Sequence, residues 1–444
     1  MTSAAAGSRS AAPVLELTGT GFCLPGPAGV CRSRAEFWRI VADGICCLTP
    51  FELPGLPLRL AGQVHGFDVV ESAGIDARLA GWASRPARLA IGAVHQALAD
   101  AALHPSGLDE RSVIILASLQ FSYSEAERHL TTYSRYGAAG LKIDYWLNGT
   151  CPSVLGTVCK ALGLECPTLS ITGSCNAAAR ALHVALTMFR AGEIDRAVIV
   201  GADVSLDPVF VASTTYESRH GFRPASLSAD PSSVRPHDEV QEGNATGEGA
   251  VAIVLETPEA AARRRALAPG NPVPAGLPLR LYARTSRRHG EAPIVSGEAG
   301  NIADDVAYVL AQAGATLADV GFVNGYAEGN RSVEDHFCDA VQRIRKRLSY
   351  PGAILLTNQE AAFGHIAGIS GLIKVVSSAL MLDHGLAGPS VNCRKPYHRL
   401  AAEPVTGGPV AVTANLALTL SAGAGGDATT VLVEHLPRQG KDRL

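Results

Sequence analysis

Apolar positions along the chain alternate between short continuous runs and longer stretches in which they recur every three to four residues. That is the pattern of buried strands joined by helices. "VLELTGTGF" predicts an opening strand and "SRAEFWRIVADG" an amphipathic helix. "PARLAIGAVHQALADAAL" predicts a longer helix and "RSVIILAS" a buried strand. Residues 121–150 form a Tyr-rich excursion, after which "SVLGTVCKALG" reads as a helix and "PTLSIT" as a strand. The first half closes with the helical "NAAARALHVALTMFRAG", the strand "RAVIVGAD", a polar loop over 213–249 and the strand "AVAIVLE".

The second half repeats the order: strand "LRLYART", helix "IADDVAYVLAQAG", strand and turn "VGFVNGYAEGN", helix "RSVEDHFCDAVQRIRKRL", then "GAILLT", helix "GISGLIKVVSSALML" and the strands "VAVTANLALTL" and "ATTVLVEHL". Two α/β halves, each with a strand–turn–helix at its centre, predict a pseudo-duplicated layered fold with helices between and outside two sheets. The expected boundaries are a flexible tail over 1–13, an N-terminal half over 14–256, a linker rich in Ala, Arg and Pro over 257–277, a C-terminal half over 278–436 and a second tail over 437–444.

Composition narrows the class. With 444 residues, 47% of them hydrophobic and 18% charged, the chain suits a tightly packed enzyme with a large core. A net charge of −3 without any Lys/Arg block argues against nucleic acid or an anionic membrane as the main partner. "MTSAAAGSRSAAP" carries no continuous apolar segment and reads as a tail, not a signal peptide, and no run is long enough to span a bilayer. The ten cysteines form no C-x-x-C pair and no paired metal spacing, so reduced thiols of a cytoplasmic protein are expected, with no metal.

One cysteine stands apart. In "LSITGSCNAAARALHVALTMFRAGEIDRAVIVGAD", Cys175 falls between a strand and an Ala-rich helix. There, unpaired backbone N–H groups and the helix dipole favour a thiolate. The small residues around it admit a substrate carbonyl, and a backbone N–H can receive the developing oxyanion.

These stretches, with "VLELTGTGFCLPG", "RAEFWRIVADG", "RPHDEVQEGNATGEGAVAIVLE", "FGHIAGISGLIKVV" and "SAGAGGDATTVLVE", resemble in order and spacing a β-ketoacyl-ACP synthase of the thiolase fold over nearly the whole chain. The resemblance implies an α/β, thiolase-like layered αβαβα fold of two pseudo-duplicated halves. It makes Cys175 the acyl-accepting nucleophile, with oxyanion donors at the backbone of Cys175 and Ala424, and His365 in "AAFGHIAG" the second histidine of the family's Cys-His-His site. The first histidine falls at Tyr326, in "VNGYAEGN" where the family reads H-G-T-G-T, and the family's lysine falls at Glu360. Phenylalanines of its glycine-rich C-terminal turn are replaced by Ala422 and Ala424, which with Gly425 are expected to open the pocket.

The departures bear on mechanism. Decarboxylative condensation needs two imidazoles or comparable donors around the malonyl unit, whereas a phenol with a pKa of about 10 is a neutral donor. A carboxylate in place of the lysine, at ~4 Å and an effective dielectric of about 20, changes the interaction by ~4 kcal/mol per unit charge. It disfavours a malonyl carboxylate and favours protonated His365.

The expected chemistry is therefore acylation of Cys175 from the phosphopantetheine arm of an acyl carrier protein, with no cofactor of the enzyme's own. A non-decarboxylative step follows, such as aldol-type ring closure with release of a lactone or lactam. Divergent stand-alone ketosynthases that make fused γ-lactam-β-lactone products are similar in this respect. Transfer to an external amine or hydroxyl, elongation with Tyr326 in place of histidine, and a non-catalytic scaffold like a chain-length factor are the alternatives. The family's members generally pair, so a homodimer is expected. Tyr123, Tyr133, Tyr136 and Tyr145 are candidates for a substrate, partner or dimer surface, and Glu334, Asp335 and His336 read as a solvated helix face.

Overall fold

The computed structural model describes residues 12–119, 123–141, 143, 148–217, 223–267, 275–288 and 299–437; Tyr145 and most of both predicted tails lie outside the described residues.

The apolar runs form strands buried on both faces. In Ser112–Ser118, Val113, Ile115 and Ala117 enter one core while Ile114 and Leu116 enter another. In Leu416–Ala422, Ala417 faces the same central core and Leu416, Leu418 and Leu420 a third. Side chains alternate across a strand, so a run apolar at every position must be covered on both sides.

The covering is provided by three groups of helices. Arg85–Asp100 packs on the outer face of the first half, Gly300–Ala313 and Arg331–Arg347 on that of the second. Between the halves lie Ala177–Ala191, which touches strands of both, and Ser370–His384, which packs on Ala177–Ala191 and on strands of the second half. Every residue from Ser370 to Leu382 is buried, the signature of a helix enclosed on all sides. Close approach of the two central helices requires Gly371, where a Cβ atom would lie 2.8 Å from that of Ala179.

Pairing is duplicated as well. In the first half Val14–Gly26 pairs antiparallel with Glu248–Glu256, which pairs antiparallel with Arg196–Val204; parallel partners Ser112–Ser118 and Thr168–Thr172 follow. In the second, Leu277–Arg287, Asp427–His435, Leu416–Ala422, Val320–Asn324 and Leu355–Thr357 repeat the same antiparallel, antiparallel, parallel, parallel order. Two separate sheets were expected, but residues Val14 to Leu17 pair with Leu277–Arg287 and join the halves into one 12-stranded hydrogen-bonded sheet. The sequence break at 257 is also not all linker, because Pro258–Ala266 is a helix capped by Thr257. Among the described residues, no helix is long and apolar enough to cross a membrane.

Candidate active site

The strand Thr168–Thr172 ends at Gly173, and the chain turns through the 3₁₀ segment Ser174–Asn176 into the helix Ala177–Ala191. Cys175 thus occupies the approach to a helix N-terminus. Its neighbour Ser174 has φ +53°, a left-handed conformation costing a non-glycine residue ~1–2 kcal/mol. The Ser174 hydroxyl accepts the N–H of Ala424 at 3.0 Å, tying the nucleophile turn to the glycine-rich turn.

His365 reaches Cys175 from the second half, with Nε2 at 3.4 Å from Sγ. Its backbone N–H donates to Ala245, and Gly364 before it has φ +82°, with the Ala245 carbonyl oxygen 3.1 Å from where a Cβ would sit. Only glycine suits that conformation and approach. Nδ1 of His365 lies 3.0 Å from Oε2 of Glu360 and 3.1 Å from Oε2 of Glu328. Lys374, one turn into the helix Ser370–His384, places Nζ 3.2 Å from the other oxygen of Glu360 and donates to the Ser370 hydroxyl.

Electrostatics follow from this arrangement. Burial opposes charge on His365, but Glu328, Glu360 and the Cys175 sulfur hold the imidazole well above its ordinary range. Burial likewise works against Glu360, yet Lys374 and His365 bring its carboxyl down to about 2. Glu328 moves the other way: burial, with the nearby Glu360, raises it against the pull of His365, Asn244 and Lys374. An imidazolium donating to carboxylates through Nδ1 and to sulfur through Nε2 is a nucleophile–acid/base–orienter constellation suited to acyl transfer.

Beneath the site, Asp203 accepts the Ser118 hydroxyl at 2.5 Å and the Leu119 N–H at 3.0 Å. Burial pushes its carboxyl up to about 7, against the pull of those donors, the Gly368 N–H and His365. The folded protein therefore holds this proton more tightly than the unfolded chain, and Asp203's contribution to stability falls as pH rises from ~4 towards 7. Urea midpoints of the wild type should decline relative to those of Asp203→Asn over that interval. Parallel pH curves would show that the proton is not held.

Several expected roles are redrawn. Tyr326 lines the cavity, but its hydroxyl is engaged with Nδ1 of His336 at 2.6 Å, and among the described residues no hydrogen bond links it to Cys175, His365 or Glu360. Burial raises the phenol well above its ordinary range, so it is a neutral group. The predicted solvated face of Glu334, Asp335 and His336 is instead engaged. Glu334 is buried against His237, Asp335 accepts the Tyr397 hydroxyl, and His336 meets Tyr326. Ala422 and Ala424 line the cavity, joined by Gly423, which sequence reasoning missed, while Gly425 serves the turn with φ +90° and is not in the lining. The Ala424 N–H, expected in the oxyanion hole, is engaged by Ser174. Tyr133 and Tyr136 are exposed on the helix Tyr123–Tyr136.

The charge reversal inferred at Glu360 is also incomplete. Lys374 supplies a cation from the following helix, and the second, less compensated carboxylate is Glu328. Both had sequence signals: a lone lysine in the otherwise uncharged "GISGLIKVVSSALML" needs a buried partner, and a lone carboxylate sits between small residues in "GYAEGN". The cavity over Cys175 has a volume of about 260 Å³. Among the described residues there is no cluster of His, Cys, Asp or Glu able to hold a metal ion.

Because Glu360 faces both His365 and Lys374, Glu360→Gln should leave Lys374 buried and unpaired, at a cost of about 3–5 kcal/mol in stability. Its effect on turnover should be strongly non-additive with that of His365→Ala, with a coupling of ~1–3 kcal/mol in a double-mutant cycle. Additive losses would separate the two side chains.

A cysteine at a helix entrance facing a carboxylate-held histidine, set between two pseudo-duplicated α/β halves, defines an acyl-transfer site of the ketosynthase type. The chain belongs to the beta-ketoacyl synthase family: residues 15–261 match its N-terminal domain and residues 282–394 its C-terminal domain. It is 25% identical over 405 residues to the tetracenomycin polyketide synthase ketoacyl synthase alpha subunit of Streptomyces glaucescens, covering 88% of this chain and 89% of that protein. Among solved structures, the ishigamide ketosynthase/chain length factor superposes with a TM-score of 0.81 at 19% identity, over 96% of this chain and all of the other. A type II PKS ketosynthase in complex with its acyl-carrier protein, bound to the hexaketide, superposes with a TM-score of 0.77 at 18% identity, over 96% of this chain and all of the other. The fold is the thiolase-like ketosynthase fold.

Proposed function

We propose that the protein is a ketosynthase-like acyltransferase of polyketide or hybrid polyketide/peptide biosynthesis that carries out non-decarboxylative chemistry on an acyl chain held by Cys175. The observation that carries this reading is the placement of His365, with Nε2 on the Cys175 sulfur and Nδ1 on two carboxylates. A malonyl carboxylate entering this cavity meets Glu328 and a phenol already bonded to His336, in place of the family's first imidazole.

In the loading step the Cys175 sulfur attacks the thioester carbonyl of a chain on the phosphopantetheine arm of an acyl carrier protein. The C–S bond to the arm breaks, and the departing thiol takes a proton from Nε2 of His365. In the second step an acidic carbon of a β-ketoacyl-amide chain loses a proton and closes on an internal carbonyl. The resulting alkoxide attacks the acyl-Cys175 carbonyl, a C–O bond forming as the C–S bond breaks. The cyclic product leaves, and the sulfur returns to its place beside His365. Alanines at 422 and 424 leave room for a folded chain. Supporting a carrier-borne substrate is the likeness to a ketosynthase solved with its acyl-carrier protein, and the paired architecture of that group supports a dimer.

The test is to incubate the wild type with a carrier-bound β-ketoacyl-amide and weigh the products. A released species one water lighter than the hydrolysed acid supports ring closure. The acid alone, or an adduct with an added amine or alcohol, would assign hydrolysis or external transfer in its place.

A further inference from the structure

We propose that Glu328 is a further catalytic residue: the base that removes the proton from the acyl chain's own nucleophile once the chain is on Cys175, which makes the fitting substrate an uncharged chain bearing an acidic C–H, N–H or O–H. This rests on the non-decarboxylative second step proposed above.

The geometry separates the two carboxylates at His365. Glu360 is held on both sides, by His365 at 3.0 Å and by Lys374 at 3.2 Å. Glu328 meets the same Nδ1 at 3.1 Å, whereas the ion pair of Lys374 among the described residues is with Glu360. It is buried, and like Glu360 it lines the cavity that holds Cys175. Glu360 is thus the orienting carboxylate of His365, and Glu328 is left with an oxygen lone pair for a substrate proton. The groups facing it are His365, Glu360, Lys374 and the Asn244 amide.

A division of labour follows from the proton inventory. Loading takes one proton from Nε2 of His365 to the departing thiol. Flanked by two carboxylates, the imidazole recovers a proton from bulk water and returns to its cationic form, ready to receive sulfur as a leaving group. A cation is not a base, so the second step needs a separate acceptor within the cavity. Burial displaces Glu328 from the ordinary carboxylate range towards a more basic one, as general-base duty requires. The proton taken by Glu328 goes back to water after release, and the cycle closes with no net change in the site. No oxidant or metal enters this balance.

Glu328→Gln keeps the size and hydrogen-bonding outline while removing the base. Given a carrier-bound β-ketoacyl-amide, this variant should still load Cys175, and the slowing of loading from losing one of the two carboxylates at His365 should be far smaller than the slowing of release. It should release product about 100-fold more slowly, so that acyl-Cys175 accumulates in intact-protein mass spectra. Glu328→Asp, which retains a carboxylate, should load normally and recover part of the release. Release by the wild type should rise with pH as Glu328 ionises, and Glu328→Gln should lose that limb. Equal slowing of loading and release in Glu328→Gln would make Glu328 a positioning group for His365 and overturn the proposal. Unchanged release would overturn it too. Product identity in the wild type is scored separately: if the wild type forms the ring and Glu328→Gln forms it as fast, only the role of Glu328 fails. If the wild type forms no ring, the ring-closure reading fails and this inference with it.

Discussion

Cys175→Ala is expected to eliminate both stable acylation and turnover, a loss that none of the other eight described thiols can make good. All nine cysteines described in the structure are free, but most are enclosed. Burial pushes Cys23, Cys47, Cys338 and Cys393 up to about 12, and Cys166 lies away from the cavity with its thiol also raised by burial. Of the nine, Cys175 alone lines the cavity and faces an imidazole, at 3.4 Å. Losing the nucleophile removes the covalent intermediate outright, so product formation should fall to background, by a factor of at least ~10³, while the fold survives the loss of one sulfur. Intact mass of the wild type after exposure to a carrier-bound acyl chain should show one acyl group, mapped to Cys175 by peptide digestion. Acyl mass retained on Cys151 or Cys166 in Cys175→Ala would overturn the assignment.

Ala424→Phe is expected to be nearly as damaging to ring closure while sparing the loading of a short linear chain. Ala424 lines the cavity beside Ser174 and Cys175, and its backbone N–H is bonded to the Ser174 hydroxyl. A phenyl ring there restores the bulk that the family carries in this turn. It would fill much of a cavity of about 260 Å³ that a folded intermediate has to occupy. Release of the cyclic product should fall by ~10²-fold, the penalty typical of a misplaced reacting geometry, with acetyl transfer to Cys175 unchanged. Undiminished ring formation would remove the case for a roomier pocket. A scaffold protein would be indifferent to the substitution, and transfer of a compact acyl group to an external acceptor would survive it.

Legibility from sequence tracked the physics of each feature. Strands such as Ser112–Ser118 and the central helix Ser370–His384 declared themselves because burial on both faces leaves continuous apolar runs. Cys175, His365 and Glu360 were identified by the resemblance, and the structure brings them into one cluster. Glu328 and Lys374 were missed because a pairwise comparison at Glu360 cannot show a cation arriving from another helix. The engagement of Tyr326 by His336 was missed because Arg331–Arg347 reads as amphipathic, and its polar residues were assigned to solvent when several point at buried partners. Joining of the two half-sheets turns on the length of Val14–Gly26, which is long enough to pair with a strand of each half.

The most direct test of the central claim is carbon dioxide release from a malonyl-carrier thioester by wild-type protein already acylated on Cys175. Glu328, Glu360 and Lys374 line the cavity with His365, and among the described residues no second imidazole does. Carbon dioxide is therefore expected to remain at the level set by Cys175→Ala, while a β-ketoacyl-amide on the same carrier protein is turned over. Robust carbon dioxide release with formation of an elongated β-ketoacyl chain would contradict the account and return the protein to decarboxylative condensation.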